Sequence, residues 1–236
     1  MNKIKTPGLV IRESAVRDSD SLLSILTPGG LISAIAFGAR KTTGSKQSGT
    51  RLFCYSDFTI FEKQGNYTVD SAVSIDTFFG VSGSVLSLAA ASYFAEVLGD
   101  AALHGDGDTE LLRLALVSLF ALSKGKKDIS SVKAAFELRL CALCGYEPIL
   151  ETEGNRFSFI DGCIFQGDEE EESAEVTPGV LMAMRHIVSS DLKRLMAFEI
   201  TGESRKRLIY ICQRYLEIQF DKKYKTLAIY NSLNNE

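Results

Sequence analysis

The hydrophobic period of this 236-residue chain changes once, near residue 80, and that single change limits the folds open to it. Before it, β-branched and aromatic residues come in short runs separated by Gly, Pro, Asn and Asp, the pattern of strands joined by tight turns. Strands are expected near Ile4 to Glu13, Leu22 to Thr27, Leu31 to Ala36, Phe53 to Phe61 and Tyr67 to Ile75. Thr27-Pro28-Gly29-Gly30 and Gln64-Gly65-Asn66 suit tight turns between them.

Five short strands in so few residues would leave bare edges in an open sheet, which favours closure into a small barrel of the OB type. From Ser84 onward the period is 3.6. Helices are expected over Val85 to Leu103, from an Asp108 cap through Leu122, and from Asp128 to Gly145, followed by Pro178 to Val188, Asp191 to Phe198 and Glu203 to Phe220. The second of these has almost no polar face and is expected at the centre of a bundle. Residues 149–176 interrupt the pattern with Gly, Phe and the acidic run Asp168 to Glu172, and read as an inserted loop subdomain. The fold class is therefore α+β, with a barrel over 1–80 and a helical domain over 81–236.

No stretch reaches about 18 apolar residues, so no membrane span is expected. The first residues are polar and basic with no apolar stretch behind them, so no secretory signal is read. Five cysteines, odd in number and scattered, fit reduced thiols, and together these features place the chain in the cytoplasm.

The net charge of −4 conceals an asymmetry. Residues 1–51 carry eight Lys or Arg against three Asp or Glu, whereas the rest carries eighteen against twenty-seven. Affinity for phosphate follows the local field of one face rather than the total, so a basic first fifth keeps nucleic acid open as a partner.

Chemistry-bearing motifs are few. Cys141-Ala-Leu-Cys144 supplies half of a tetrahedral zinc site, but Cys54, Cys163 and Cys212 are isolated, His104 and His186 form no ligand pair, and buried free thiols are the favoured reading. Gly105-Asp106-Gly107-Asp108 lacks the ligands that would complete a calcium loop. No Gly-x-Ser-x-Gly elbow, His-Glu-x-x-His pair or phosphate-cradling Gly-x-x-x-x-Gly-Lys loop is present, so no catalytic residue is nominated and a non-enzymatic role is expected. What remains is the loop from Gly38 to Arg51. Its cations Arg40, Lys41, Lys46 and Arg51 can track phosphates, and Phe37, Phe53 and Tyr55 are rings on which bases could stack; a solvated loop is the equally weighted alternative.

Several segments in order along the chain resemble the RecO family of bacterial recombination mediators: Pro7 to Glu13, Leu22 to Gly30, Ala36 to Lys41, Phe136 to Leu140, Cys144 to Pro148, and the helix from Arg205 to Leu216. The resemblance implies an OB-fold N-domain, a helical C-domain, binding of single- and double-stranded DNA, strand annealing, and assistance to RecA loading on SSB-coated DNA together with RecR. It places Arg40 and Lys41 on a DNA-binding face; charge extends that face to Lys46 and Arg51, with Arg12 and Arg17 as weaker candidates. Phe37 stands where family members often carry a basic residue, so stacking is expected to replace some charge there. The acidic SSB tail would need an apolar groove flanked by cations, for which Lys124, Lys126, Lys127 and Arg139 are candidates. Many family members hold zinc through four cysteines just after the Gly-Tyr-x-Pro segment; here Ile149 to Glu175 contains only Cys163, so no cofactor is expected. A protein-only adaptor without direct nucleic-acid binding is the alternative function.

Overall fold

The computed structural model describes residues 2–16, 18–41, 48–102, 109–168 and 171–234. The chain divides into two compact units, Met1–Ser123 and Lys124–Glu236.

In the first unit five strands close a barrel in the order β1-β2-β3-β5-β4, with β4 returning to β1: β1 (Asn2–Ala15), β2 (Ser21–Thr27), β3 (Gly30–Ala36), β4 (Tyr55–Lys63) and β5 (Asn66–Asp76). This is the OB arrangement expected from the spacing of strands and turns. β1 belongs to both halves of the barrel: Asn2 to Leu9 pair with β4, and Leu9 to Ala15 pair with β2. Gly8 lies so close to β2 that a Cβ there would stand 2.5 Å from Ile25 Cγ2, and the register shifts between Val10 and Arg12, as at a bulge. Alternation, broken by runs of buried residues near the β1 bulge and at the end of β2, sends Val10, Leu23, Ile25, Ala34, Ala36, Phe58, Ile60 and Val69 into the core. A short parallel seam, Ala34 with Tyr67 and Ile35 with Thr68, joins β3 to β5 and removes the last sheet edges.

Helices α1 (Val85–Ala101) and α2 (Thr109–Lys124) follow the barrel. The Ser84 side chain accepts from Ser87 N–H and caps α1, which lies against β1. The change of period at residue 80 thus marks a change of secondary structure, whereas the compact units divide at 123/124. α2 departs from the central position expected of it. Leu111, Leu112, Leu114, Ala115, Leu119 and Leu122 are buried, but Arg113 and Phe120 face solvent, so the helix has an outer side despite its apolar composition. The expected Asp108 cap and the Gly105 to Asp108 turn lie outside the described residues.

The second unit is built on α3 (Ile129–Leu143), capped by the Asp128 side chain, with α4 (Pro178–Ser189) and α5 (Gly202–Gln219) packed on it. α3 is enclosed enough to bury an ion pair completely: Lys133 Nζ stands 2.8 Å from Glu137 Oε1 and donates to Gln213 Oε1 of α5 at 3.0 Å. Such a pair holds together only when further hydrogen bonds surround it. The interval after Pro148 forms a small sheet in the order β7-β6-β8, from β6 (Arg156–Ser158), β7 (Ile164–Phe165) and β8 (Ser173–Glu175). Asp191 to Phe198, expected as a helix, contains only a 3₁₀ turn over Leu192–Arg194: the Arg194 and Leu195 N–H groups donate three residues back, to Asp191 and Leu192. Leu192 and Leu195 have the spacing of either helix type. A last helix, α6 (Lys225–Asn234), buries Tyr230 and hydrogen-bonds its hydroxyl to Ser130 Oγ at 2.9 Å.

Candidate nucleic-acid interface

On β3, Leu31, Ser33 and Ile35 face outward, and the same alternation carries Phe37 out past the strand end, about half exposed. The chain then turns back. Gly38 takes φ +69°, a conformation side chains disfavour, and its carbonyl accepts from Lys41 N–H at 3.1 Å. Ala39 inserts into the barrel core. Two bonds fasten this turn to the β1–β2 connection: Gly38 N–H donates to Asp20 Oδ1 at 2.9 Å, and Arg40 N–H donates to the Ser19 carbonyl at 3.1 Å. Arg40 and Lys41 therefore project from a pinned turn, both exposed and neither in an ion pair among the described residues. Val16 and Leu22, also exposed, lie on the neighbouring β1–β2 connection and on β2, and extend the apolar surface begun by Phe37.

Arg12 faces outward on β1, opposite Ser24, which in turn pairs with Ser33. It is on the same outer face as Leu22, Ile35 and Phe37, but about three residues below the turn, or roughly 10 Å along the strand. Arg51 is exposed on a different fastening: Cys54 N–H donates to its carbonyl, and Phe53 and Cys54 exchange hydrogen bonds with Val10 in the middle of β1. The structure thus brings Phe37, Arg40 and Lys41 together, places Arg12 lower on their face, and ties Arg51 elsewhere. Lys46 and Arg17 lie outside the described residues. Of the stacking rings proposed with them, Phe53 is buried and serves the barrel.

Among the docking cations, Lys124 ends α2 and is exposed, as are Lys126 and Lys127 in the turn that follows. Arg139 is engaged otherwise. Its guanidinium donates to the carbonyls of Ile187 and Val188, which the end of α4 leaves without helical partners. It also stands ten residues past the start of α3, roughly 15 Å along the helix at 1.5 Å per residue.

Residues 1–78 match the family described as Recombination protein O N terminal, and residues 83–228 match Recombination protein O C terminal. The chain belongs to the RecO family. Relatives run nearly end to end with it. DNA repair protein RecO of Acetivibrio thermocellus is 29% identical, covering 99% of this chain and 98% of its own length. The RecO proteins of Clostridium kluyveri and Alkaliphilus metalliredigens are 25% and 26% identical, covering 97% and 93% of this chain. The family match divides between 78 and 83, where the barrel ends.

Of the four cysteines that the resemblance set as the pattern for a zinc site, the interval 149–175 of this sequence contains one, Cys163. Cys163 is half-buried beside β7, and no group of three or more His, Cys, Asp or Glu side chains converges among the described residues. Burial, then the nearby Glu137 charge, pushes the Cys141 and Cys212 thiols well above their ordinary range. Two arginines of α5 meet the small sheet. Arg214 grips Glu172 through two nitrogens, and Arg207 pairs with Glu175. Beneath them Phe157 meets Tyr215 and Phe159 edge to face, at 5.1 and 6.0 Å between ring centres.

Sequence reasoning missed Asp20, the carboxylate that fixes the basic turn. Its signal was faint: an acid immediately before a strand, 18 residues from the glycine it holds. No described helix is long and apolar enough to cross a membrane.

Proposed function

We propose that this chain is a DNA repair and recombination mediator that binds single- and double-stranded DNA on its barrel and anneals complementary strands without bond-making catalysis. The observation that carries this reading is the pinned turn of Phe37, Arg40 and Lys41 on the outer face of an OB barrel. Cations there neutralise phosphates and an exposed ring stacks on a base, while most base edges stay free to pair. Kinship with RecO proteins supports help in loading RecA on SSB-coated strands with RecR, at the nucleoid in the cytoplasm. Of the cations considered for the SSB tail, Lys124, Lys126 and Lys127 remain the flanks this reading uses, since Arg139 serves α4. We further propose that the chain works without zinc.

The test is fluorescence anisotropy with labelled oligonucleotides across a salt series. With about four to six phosphate contacts, log affinity for single strands falls against log salt with a slope of about −0.7 per contact. Replacing Arg40 and Lys41 by Ala together weakens binding roughly tenfold for every sequence tried, and flattens that slope by one to two contacts' worth. Affinity indifferent to salt and to both substitutions removes the barrel from the interface and leaves the protein-only adaptor.

A further inference from the structure

In the second unit an open groove of about 540 Å³ runs between β8 and the first half of α5. Positions 203, 206, 207 and 210 share one stripe of α5 and line it with Glu203, Lys206, Arg207 and Tyr210. Arg156 of β6 approaches from the sheet, donates Nε to Ser173 Oγ at 3.1 Å, and makes no ion pair among the described residues. Tyr210 is 55% exposed, yet its ring is held edge-on to Phe159 at 5.9 Å between centres.

Two carboxylates share the groove, and their strength as competitors decides what it can take. Lys206 pairs with Glu203 at side-chain exposures of 74% and 84%, and Arg207 with Glu175 at 35% and 58%. Pairs so open to water contribute little and exchange readily. A phosphodiester arriving between Arg156 and Arg207 replaces a carboxylate with an equally anionic, equally forked acceptor. The fixed, exposed ring beside three cations adds what a simple anion does not use, a face for a base.

We propose that this groove is a second single-stranded nucleic-acid subsite, with Arg156, Lys206 and Arg207 on the backbone and Tyr210 stacked on a base. Its role rests on the annealing function proposed above: annealing requires two strands held at once, and the barrel turn supplies one hold.

The experiment uses the full chain, an oligonucleotide carrying 5-bromodeoxyuridine, ultraviolet cross-linking with peptide mapping, and an annealing assay. A cross-link is expected on the α5 peptide containing Tyr210, in the parent protein and in the Arg40→Ala/Lys41→Ala variant. Tyr210→Ala/Arg156→Ala loses the cross-link and anneals about tenfold more slowly, the equivalent of one lost stack. Tyr210→Phe keeps both, because the ring remains. Lys206→Glu, on a largely exposed side chain, slows annealing with nearly unchanged thermal melting, which separates loss of binding from loss of folding. A cross-link absent from α5 while Arg40→Ala/Lys41→Ala abolishes binding overturns the groove and leaves the barrel reading standing. A cross-link on α5 with Arg40→Ala/Lys41→Ala binding as the parent does supports the groove and removes the barrel.

Discussion

Asp20 shows how one side chain can serve a cationic surface without belonging to it. Its carboxylate accepts from Gly38 N–H, while its charge opposes that of the phosphates the turn would meet. The two effects separate by substitution. Asp20→Ala leaves the Gly38 donor without its acceptor, lowers stability by about 1–2 kcal/mol in urea melts and weakens strand binding as the turn loosens. Asp20→Asn keeps an acceptor oxygen and removes the charge, so the same anisotropy titration gives affinity equal to or above that of the parent. If both variants bind as the parent does, the turn does not depend on this bond. Arg40 and Lys41 were legible in the sequence because adjacent cations beside a glycine stand out in any reading. Asp20 was not, because its meaning arises only when β2 and β3 pair and bring residue 20 to residue 38.

At the scale of elements, the five strands were readable because alternation in a half-buried strand is written residue by residue. α6 was not, since only Leu227 and Tyr230 of its ten residues are buried and no stripe forms. The segment 191–198 misled because its apolar spacing fits a single 3₁₀ turn as well as a helix. The groove on α5 draws on β6, β8 and a helix some 30 residues further on, and no local pattern announces such an assembly. The same small sheet yields a prediction. If the Arg214 grip and the edge-to-face rings fasten it, exhaustive chelation leaves its melting temperature unchanged, whereas Arg214→Ala, which breaks the two-nitrogen grip on Glu172, lowers stability by about 1 kcal/mol. Stoichiometric zinc in the purified protein, with melting that falls on chelation, would falsify the metal-free reading.

At the scale of the whole molecule, burial of ionisable groups sets a response to alkali. The second unit contains Cys141 and Cys212, whose thiols burial pushes well up, and Tyr230, whose hydroxyl burial pushes up to about 12. In the unfolded chain these groups ionise near their ordinary values, so above about pH 9 the folded state holds more protons than the unfolded one. Their contribution is complete below that point and is lost as pH rises toward the folded values. Melting temperature measured between pH 7 and 11 therefore declines from about pH 9 upward, and Cys141 and Cys212 resist alkylation in the native protein at pH 8. A flat profile, with both thiols labelled as fast as in urea, would show that α3 and α5 do not enclose them. The first unit has a different property with a kinetic result. Its basic turn is stitched to the β1–β2 connection before any polyanion arrives, so the loss of chain freedom falls on folding and not on association. On the function proposed above, a strand meeting that surface would dock at the pace of ionic encounter and leave by exchange with small ions.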